Sequence, residues 1–269
     1  MTATDRTAQT YRYERWRAVS AGILEAAGSA FPLLIAVRWF HAENIAKSLV
    51  AASGSFGLML GPWVVAQVEN LRWRTSIAAA RLLWFGAAWL TLMIVCPVLP
   101  VYVIGSVIAM TTASAVIPLM TQVYQENYPE NQRGKLFSRA FMLRIIAAAT
   151  FSELAGRFLT DNLHRFQWLL FIFALAFAFA GFCLSRIPSQ PLNVSGGTHP
   201  FRALRFVRDD ALFRRTLIMW MLMGFANLMI GPLRVDYLAN VKYGVTWNGH
   251  PLTTAEIALL LAVVPNLAR

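Results

Sequence analysis

The chain has 269 residues, of which 57% are hydrophobic and only 14% are charged, whereas a soluble domain carries about 25% charged residues. Its net charge of +11 lies mostly at the ends of apolar runs, which is typical of basic loops beside a membrane and argues against a nucleic-acid-binding surface. These properties exclude an ordinary soluble domain and predict an all-α, polytopic bundle of transmembrane helices within a lipid bilayer.

The first two spans follow from the rule that a bilayer core of about 30 Å needs about 20 apolar residues per helix. A polar and basic tail, Met1 to Arg17, precedes the first predicted span, Ala18 to Phe40. The second runs from Ile45 to Val68 and is closed by the charged stretch Glu69 to Arg74. Because the first apolar run contains Glu25 and lacks a small-residue cleavage motif, we interpret it as a retained span rather than a signal peptide.

The third and fourth spans share one long uncharged region. The third begins near Ser76, and no charged residue occurs from Leu82 to Gln125, which is about twice the length of one crossing. The chain must therefore turn back within this region. The segment Cys96 to Pro100 contains two prolines, which disfavour helix, so we predict a helical hairpin that turns there.

Two further spans follow a polar segment, Glu126 to Arg139. The fifth is predicted from Ala140 to Leu159, and a short loop, Thr160 to Gln167, connects it to the sixth. The sixth, Trp168 to Ile187, holds only one charged residue, near its end. Residues 1–187 are thus predicted to form a unit of six spans.

The main boundary in the chain is residues 188–215, which begin with a stretch rich in Pro, Ser, Asn and Gly and end in several arginines. We interpret this segment as a long middle loop. The remainder, residues 216–269, contains a seventh span, Thr216 to Tyr237, and the start of an eighth, Ala255 to Val264.

The distribution of basic residues predicts the orientation, because cytoplasmic loops carry an excess of Lys and Arg. The opposite loops hold mainly Lys47, Arg165 and Lys242. We therefore predict a multi-pass protein of the plasma membrane with its N-terminus and middle loop in the cytoplasm. The basic residues on the predicted cytoplasmic side are Arg6, Arg12, Arg15, Arg17, Arg72, Arg74, Arg133, Lys135, Arg139, Arg202, Arg205, Arg208, Arg214 and Arg215.

Local motifs point to a known family. The stretch from Ile117 to Lys135, with its Arg133-Gly134 step, is similar to the fourth span and following loop of the major facilitator superfamily. Glu69, Arg72 and Arg74 resemble the acidic and basic positions of that family's signature between spans two and three. Six spans, a basic middle loop and further spans also resemble its layout of two six-helix halves. The fourth-span arginine that the family uses in proton coupling has no counterpart here.

The resemblance implies a secondary active transporter that moves a small solute by alternating access, with or without a coupling ion. Such a carrier encloses its site between both halves. Only the first six-helix half, span seven and part of span eight are found here, so we expect a truncated or partial chain that does not transport alone. No Gly-rich phosphate loop indicates an ATP-driven pump, and we expect no cofactor or metal.

Two functions of other classes stay open. A non-transporting membrane receptor or scaffold could share this layout. An intramembrane enzyme would need a catalytic cluster, but the histidines are far apart in sequence and lie in loops or at span ends. They are His41, His164, His199 and His250.

Candidate functional residues are the ionisable side chains inside spans, which cost several kcal/mol unless they face a cavity, the bundle interior or a partner. The candidates for substrate or ion binding are Glu25, Arg144, Glu153 and Arg81. For Glu25, a cavity role and a structural ion pair with Arg144 or Arg81 are both open. Arg144 can also snorkel to the interface, and the position of Arg81 favours an interfacial anchor.

A second group of charged residues is expected near the membrane surfaces. The candidates for a cytoplasmic gate are Glu69, Arg72, Arg74 and Arg133. Arg38, Arg234 and Asp236 lie close to the ends of spans one and seven, where we expect gate or anchor residues.

Overall fold

The computed structural model describes residues 3–160, 163–192, 204–247 and 249–267. Part of the predicted middle loop, residues 193–203, lies outside the described residues. The described chain is almost entirely helical, which confirms the all-α prediction.

The first span is longer than predicted and is divided in two. Helix α1 covers Ala3–Ser29, and α2 covers Phe31–Arg38 after a break at Ala30. Pro32 lies in the first turn of α2, where its missing N–H leaves no helical hydrogen bond unmade. Most of the tail that was expected to precede the membrane is therefore the first part of a long helix.

The next three helices include α4 and α5, which form the predicted hairpin. Helix α3 covers Asn44–Asn70, α4 covers Thr75–Val95 and α5 covers Leu99–Asn127. The turn between α4 and α5 consists of residues 96–98, within the segment predicted from its prolines. Pro100 then lies in the first turn of α5, which favours helix initiation at that point.

Two long helices complete the first six segments. Helix α6 covers Glu130–Thr160, and a single 3-10 turn, Leu163–Arg165, leads into α7, Phe166–Ser185. After residues 193–203 follow a short helix α8, Leu204–Asp209, and the long helix α9, Ala211–Ala239. The Asp210 side chain caps α9 by accepting hydrogen bonds from the backbone N–H groups of its first turn.

The C-terminal segment starts with a short loop and ends in a helix. A 3-10 turn, Val241–Tyr243, leads to an antiparallel pair of two-residue strands, β1 (Thr246–Trp247) and β2 (His250–Pro251). Thr253 and Glu256 then form a capping box that begins the helix. That helix consists of α10 (Thr254–Ala258), a π-helical turn (Leu259–Val263) and α11 (Val264–Leu267).

Six helical segments within the described residues are long and apolar enough to cross a membrane, which supports a transmembrane protein. The predicted fifth span, within α6, is not one of them because it carries charged residues along its length. The six segments are Asp5–Arg38, Asn44–Asn70, Thr75–Val95, Leu99–Asn127, Leu163–Ser185 and Ala211–Ala239.

Hydrogen bonds near the ends of the helices define two opposite ends of the bundle. At one, called here the Arg133 end, the Thr7 hydroxyl donates to the Asn127 carbonyl, and the Asn127 amide donates to the Pro188 carbonyl. At the other, the Arg38 end, the backbone N–H of Ala255 donates to the Thr160 hydroxyl. Helix α6 begins at the Arg133 end and finishes at the Arg38 end, so it crosses the whole bundle despite its charges.

The pairing of the helices has an internal symmetry. Helix α1 packs on α6 and α7, while α5 packs on α3 and α4, and α4 also packs on α7. Suppose that α1 (with α2) is exchanged with α5, α3 with α6, and α4 with α7. The contact of α1 with α6 then becomes the contact of α5 with α3, the contact of α1 with α7 becomes that of α5 with α4, and the contact of α4 with α7 is unchanged. Successive segments cross the bundle in alternating directions, and equivalent segments are three positions apart in this series. Equivalent segments therefore run in opposite directions.

Glycines allow the closest helix crossings in both symmetric pairs. A Cβ at Gly57 of α3 would overlap the Thr111 carbonyl oxygen of α5, and a Cβ at Gly22 of α1 would overlap the Arg144 carbonyl oxygen of α6. The Thr111 hydroxyl donates to the Ser53 carbonyl across the first of these crossings at 3.1 Å. Small residues thus bring the backbones of these helices into direct contact.

Candidate functional site

A cavity of about 980 Å³ lies between α1, α3, α5 and α6, and Leu261 and Pro265 of the C-terminal segment also line it. Most of its wall is apolar, but six charged side chains are part of it. Its exposed lining residues include Thr121, Gln125 and Glu130, which lie toward the Arg133 end. The charged lining residues are Glu14, Arg17, Glu25, Glu130, Arg133 and Arg144.

An ion pair between α1 and α6 lies in the wall of this cavity. Arg144 Nε donates to Glu25 Oε2 at 2.7 Å, and the Arg144 guanidinium carbon lies 5.8 Å from the centre of the Phe141 ring. Of the two partners that the sequence allows for Glu25, the structure selects Arg144. The pair neutralises two charges that would otherwise be costly in an apolar environment.

A second ion pair lies nearer the Arg133 end. Arg17 donates to both carboxylate oxygens of Glu14, at 2.7 Å and 2.6 Å, and the Tyr124 hydroxyl donates to Glu14 at 2.6 Å. Arg17 also donates to the Tyr124 oxygen at 2.9 Å. We call these three residues the Glu14 cluster. It joins α1 to α5 and saturates a carboxylate that is almost fully buried.

Sequence reasoning did not find the Glu14 cluster, because Glu14 and Arg17 fell in the segment interpreted as a polar tail. A signal was nevertheless present. An acidic residue three positions before an arginine lies on the same face of a helix, where the two charges can pair. Such a pair lowers the cost of continuing a membrane helix through both residues, which a hydropathy average does not register.

Arg133 lies at the mouth of the cavity, and its role as a gate stays a prediction. Its terminal nitrogen donates to the carbonyls of Gln125 and Tyr128, each at 3.3 Å, so it ties the start of α6 to the end of α5. Its Nε is buried and has no hydrogen-bond partner among the described residues. Burial also raises the pKa of the neighbouring Tyr128 phenol above its ordinary value.

The Arg38 end is closed by polar contacts between the first two helical segments and the C-terminal part of the chain. Arg38 donates to the Ala239 carbonyl at 3.0 Å, to the Leu252 carbonyl at 2.6 Å and to the Thr254 hydroxyl at 3.2 Å. These contacts, together with an ion pair between Lys47 and Asp236, are called the Arg38 latch. The three Arg38 hydrogen bonds come from one guanidinium, which holds the end of α9, the loop and the start of α10 together.

An ion pair completes the latch. Lys47 Nζ of α3 lies 3.0 Å from Asp236 Oδ1 of α9, and both side chains are partly buried. Arg38 and Asp236, which we expected to be gate or anchor residues, thus form contacts between the predicted first half and the following helices. Arg234 is exposed.

Two predicted site residues lie away from the cavity. Glu153 accepts a hydrogen bond from Arg157, one turn later on α6, at 2.7 Å. Arg81 is exposed, and its guanidinium carbon lies 4.0 Å from the centre of the Trp73 ring. Neither lines the cavity. The role of Arg81 as an interfacial anchor stays a prediction.

The remaining gate candidates lie together at the turn between α3 and α4. Arg72 adopts a left-handed backbone conformation there, with φ of 49°, and Arg74 precedes the first residue of α4. Arg74 also forms a β-bridge with Pro191. Within the described part of the chain, Glu69 makes no ion pair with Arg72 or Arg74. Their role as a gate stays a prediction.

No metal centre is evident in the described ranges, where no group of three or more His, Cys, Asp or Glu side chains could hold an ion. Comparisons with models of protein families, with curated proteins and with solved structures gave no significant match.

Proposed function

We propose that this chain forms the first half and the beginning of the second half of a secondary transporter of the major facilitator type. The observation that carries the proposal is the cavity, which holds two ion pairs inside a bundle of apolar helices, with exposed lining residues toward one end and the Arg38 latch at the other. A charged cavity within a membrane is costly to maintain and is typical of a solute pathway.

The symmetry of the helix contacts supports this family. Secondary transporters of this type contain inverted repeats of three helices within each six-helix half. The helix contacts are preserved when α1–α4 are exchanged with α5–α7. The helices that this exchange relates run in opposite directions, as an inverted repeat requires. In this scheme α1 and α5 are equivalent, and both line the cavity.

The arrangement corresponds to one state of an alternating-access cycle. With the predicted orientation, the cavity is open toward the cytoplasm and the latch closes the outer side. Release of the Lys47 and Arg38 contacts, together with closure near Arg133, would expose the same cavity to the other side of the membrane.

The test is uptake into proteoliposomes that contain the purified product of the complete gene, screened with labelled anionic, cationic and neutral solutes. We expect saturable uptake of one solute class, accelerated by the same solute on the opposite side, as a carrier requires. The Arg144→Gln variant should abolish that uptake, whereas Arg157→Gln, on the same helix but outside the cavity, should retain it. A protein that folds but moves none of these solutes would contradict the proposal and favour a receptor or scaffold.

A further inference from the structure

We propose that the cavity binds a small organic anion with an apolar body, and that Arg144 holds its acidic group. This inference rests on the proposed function, since it names the class of solute for the same cavity. It follows from which charged groups in the cavity wall are already occupied and which still offer hydrogen-bond donors.

The two buried carboxylates of the wall are already paired. The Glu14 side chain is only 5% exposed and accepts hydrogen bonds from both Arg17 and Tyr124. The Glu25 side chain is 14% exposed and accepts from Arg144. A cationic solute would have to displace an arginine from one of them, which leaves the displaced guanidinium without its counter-charge.

The Arg144 guanidinium is a partly exposed positive charge in the cavity wall. Its side chain is 38% exposed, and among the described residues its only hydrogen bond is the one from Nε to Glu25. The two terminal nitrogens therefore keep their donors for a ligand. A carboxylate or sulfonate can accept two parallel hydrogen bonds from such a fork without breaking the existing bond to Glu25.

Other groups at the Arg133 end also favour a negative ligand. The buried Nε of Arg133 lacks a hydrogen-bond partner among the described residues. The first turn of α6, Glu130 to Arg133, lies at the cavity mouth, so the positive end of its helix dipole is directed there. Glu130 offsets part of this field, but it is exposed and screened by solvent.

The rest of the wall fits an apolar body. The Phe141 ring lies beside the Arg144 guanidinium, and the cavity volume of about 980 Å³ is at the upper end of the range of about 300–1,000 Å³ for small-molecule sites. An aromatic or branched aliphatic acid would place its acidic group on Arg144 and its hydrocarbon part against this surface. The large apolar lining residues include Leu24, Met110, Ile117, Met120, Phe137 and Phe141.

The test compares three probes that share one ring system. They are naphthalene-2-carboxylate, the neutral naphthalene-2-carboxamide and the cationic naphthalen-2-ylmethylammonium. Each is equilibrated by dialysis against the 269-residue chain in nanodiscs, and binding to empty nanodiscs is subtracted. We expect the carboxylate to bind about tenfold tighter than the amide, and the ammonium to bind no better than the amide. Equal binding of all three, or preference for the ammonium, would overturn the proposal.

Variants separate Arg144 from general electrostatics. Arg144→Gln should reduce carboxylate binding to the level of the amide, and Arg157→Gln, which removes an arginine from the same helix outside the cavity, should not change it. Glu25→Gln should tighten carboxylate binding, because it removes the competing negative charge beside Arg144. Glu25→Gln also keeps the test decisive if Arg144→Gln does not fold, since weaker carboxylate binding in that variant would contradict the proposal.

Binding and transport can fail separately. The binding measurement requires no turnover, so selective carboxylate binding without uptake would overturn the transporter proposal and leave this inference intact. Saturable uptake of a cation or a neutral solute, with no selectivity for the carboxylate probe in the binding measurement, would overturn this inference and leave the transporter proposal intact.

Discussion

Arg144 Nε lies 2.7 Å from Glu25 Oε2, and this contact joins α6 to α1 through the wall of the cavity. The two residues are 119 positions apart in sequence, so the contact forms only when the two helices pack together. Gly22 allows this packing, because it leaves room for the backbone of α6 one turn away from Glu25. The ion pair and the glycine therefore belong to one helix crossing.

Removal of Arg144 should destabilise the protein more than removal of its exposed counterpart on the same helix. Arg144→Gln leaves the mostly buried Glu25 without its observed ion-pair partner, and we expect a loss of about 1–3 kcal/mol in the free energy of unfolding. Arg157→Gln breaks a pair whose arginine is 73% exposed, and its cost should be below about 0.5 kcal/mol. Denaturant unfolding in detergent measures both, and equal effects would show that the cavity pair does not stabilise the fold.

Glycines at helix crossings should be sensitive to the addition of a single methyl group. Gly57→Ala would place a Cβ against the Thr111 carbonyl and should cost about 1–3 kcal/mol, seen as a lower Tm in detergent. Gly134→Ala is the matched control, because the added Cβ would meet no described atom within 4 Å beyond its chain neighbours and the adjacent backbone of its own helix, and helical alanine is favoured over glycine. The control should be neutral or slightly stabilising. A tolerated Gly57→Ala would mean that α3 and α5 are further apart than in this structure.

The Glu14 cluster should hold the first part of α1 against α5. Tyr124→Phe removes the hydroxyl that donates to Glu14 and accepts from Arg17, so we expect faster amide hydrogen exchange over residues 5–17. Tyr243→Phe removes a hydroxyl from an exposed loop residue and should leave exchange in that segment unchanged. If Tyr124→Phe has no effect on residues 5–17, the cluster does not anchor the helix.

Much of the bundle could be predicted from charge and proline positions alone. The uncharged run from Leu82 to Gln125 is too long for one crossing, and its prolines located the turn between α4 and α5 correctly. The extension of α1 could not be read in the same way. Hydropathy treats Glu14 and Arg17 as two separate penalties, whereas in the folded chain they cancel each other and bind Tyr124, which is 107 residues away from Arg17.

The candidate site was predictable only at the level of residue type. The cost of a charge inside a span identified Glu25 and Arg144 but equally identified Glu153, which binds its own helical neighbour Arg157 instead. Which face of α6 looks into the cavity depends on the packing of α1 and α10 against it. No local pattern in one sequence contains that information.

The Lys47–Asp236 pair should keep the Arg38 end closed. Lys47→Asp replaces an attractive pair by two like charges that face each other across the same gap, so we expect the cavity to become accessible from the predicted outer side. The exchange variant Lys47→Asp/Asp236→Lys restores an attractive pair and should restore closure. Lys242→Asp changes the same charge on an exposed loop residue and serves as the control. Accessibility can be followed with a cysteine inside the cavity, as described next, and no change in Lys47→Asp would remove this pair from the latch.

Sided labelling of a single cysteine tests most directly whether a cavity inside a membrane protein opens at the Arg133 end. Of the two native cysteines, Cys96 is exposed and Cys183 is buried, so Cys96→Ser alone removes the thiol that a reagent in solution reaches. Ser114→Cys then introduces a single reactive thiol in the cavity wall on α5. Ser106→Cys, on the same helix but buried outside the cavity, is the matched control. A membrane-impermeant thiol reagent should label Ser114→Cys in inside-out vesicles, not in right-side-out vesicles, and should label Ser106→Cys in neither. Labelling of Ser114→Cys from the outside alone or from neither side would contradict a cavity that opens at the Arg133 end.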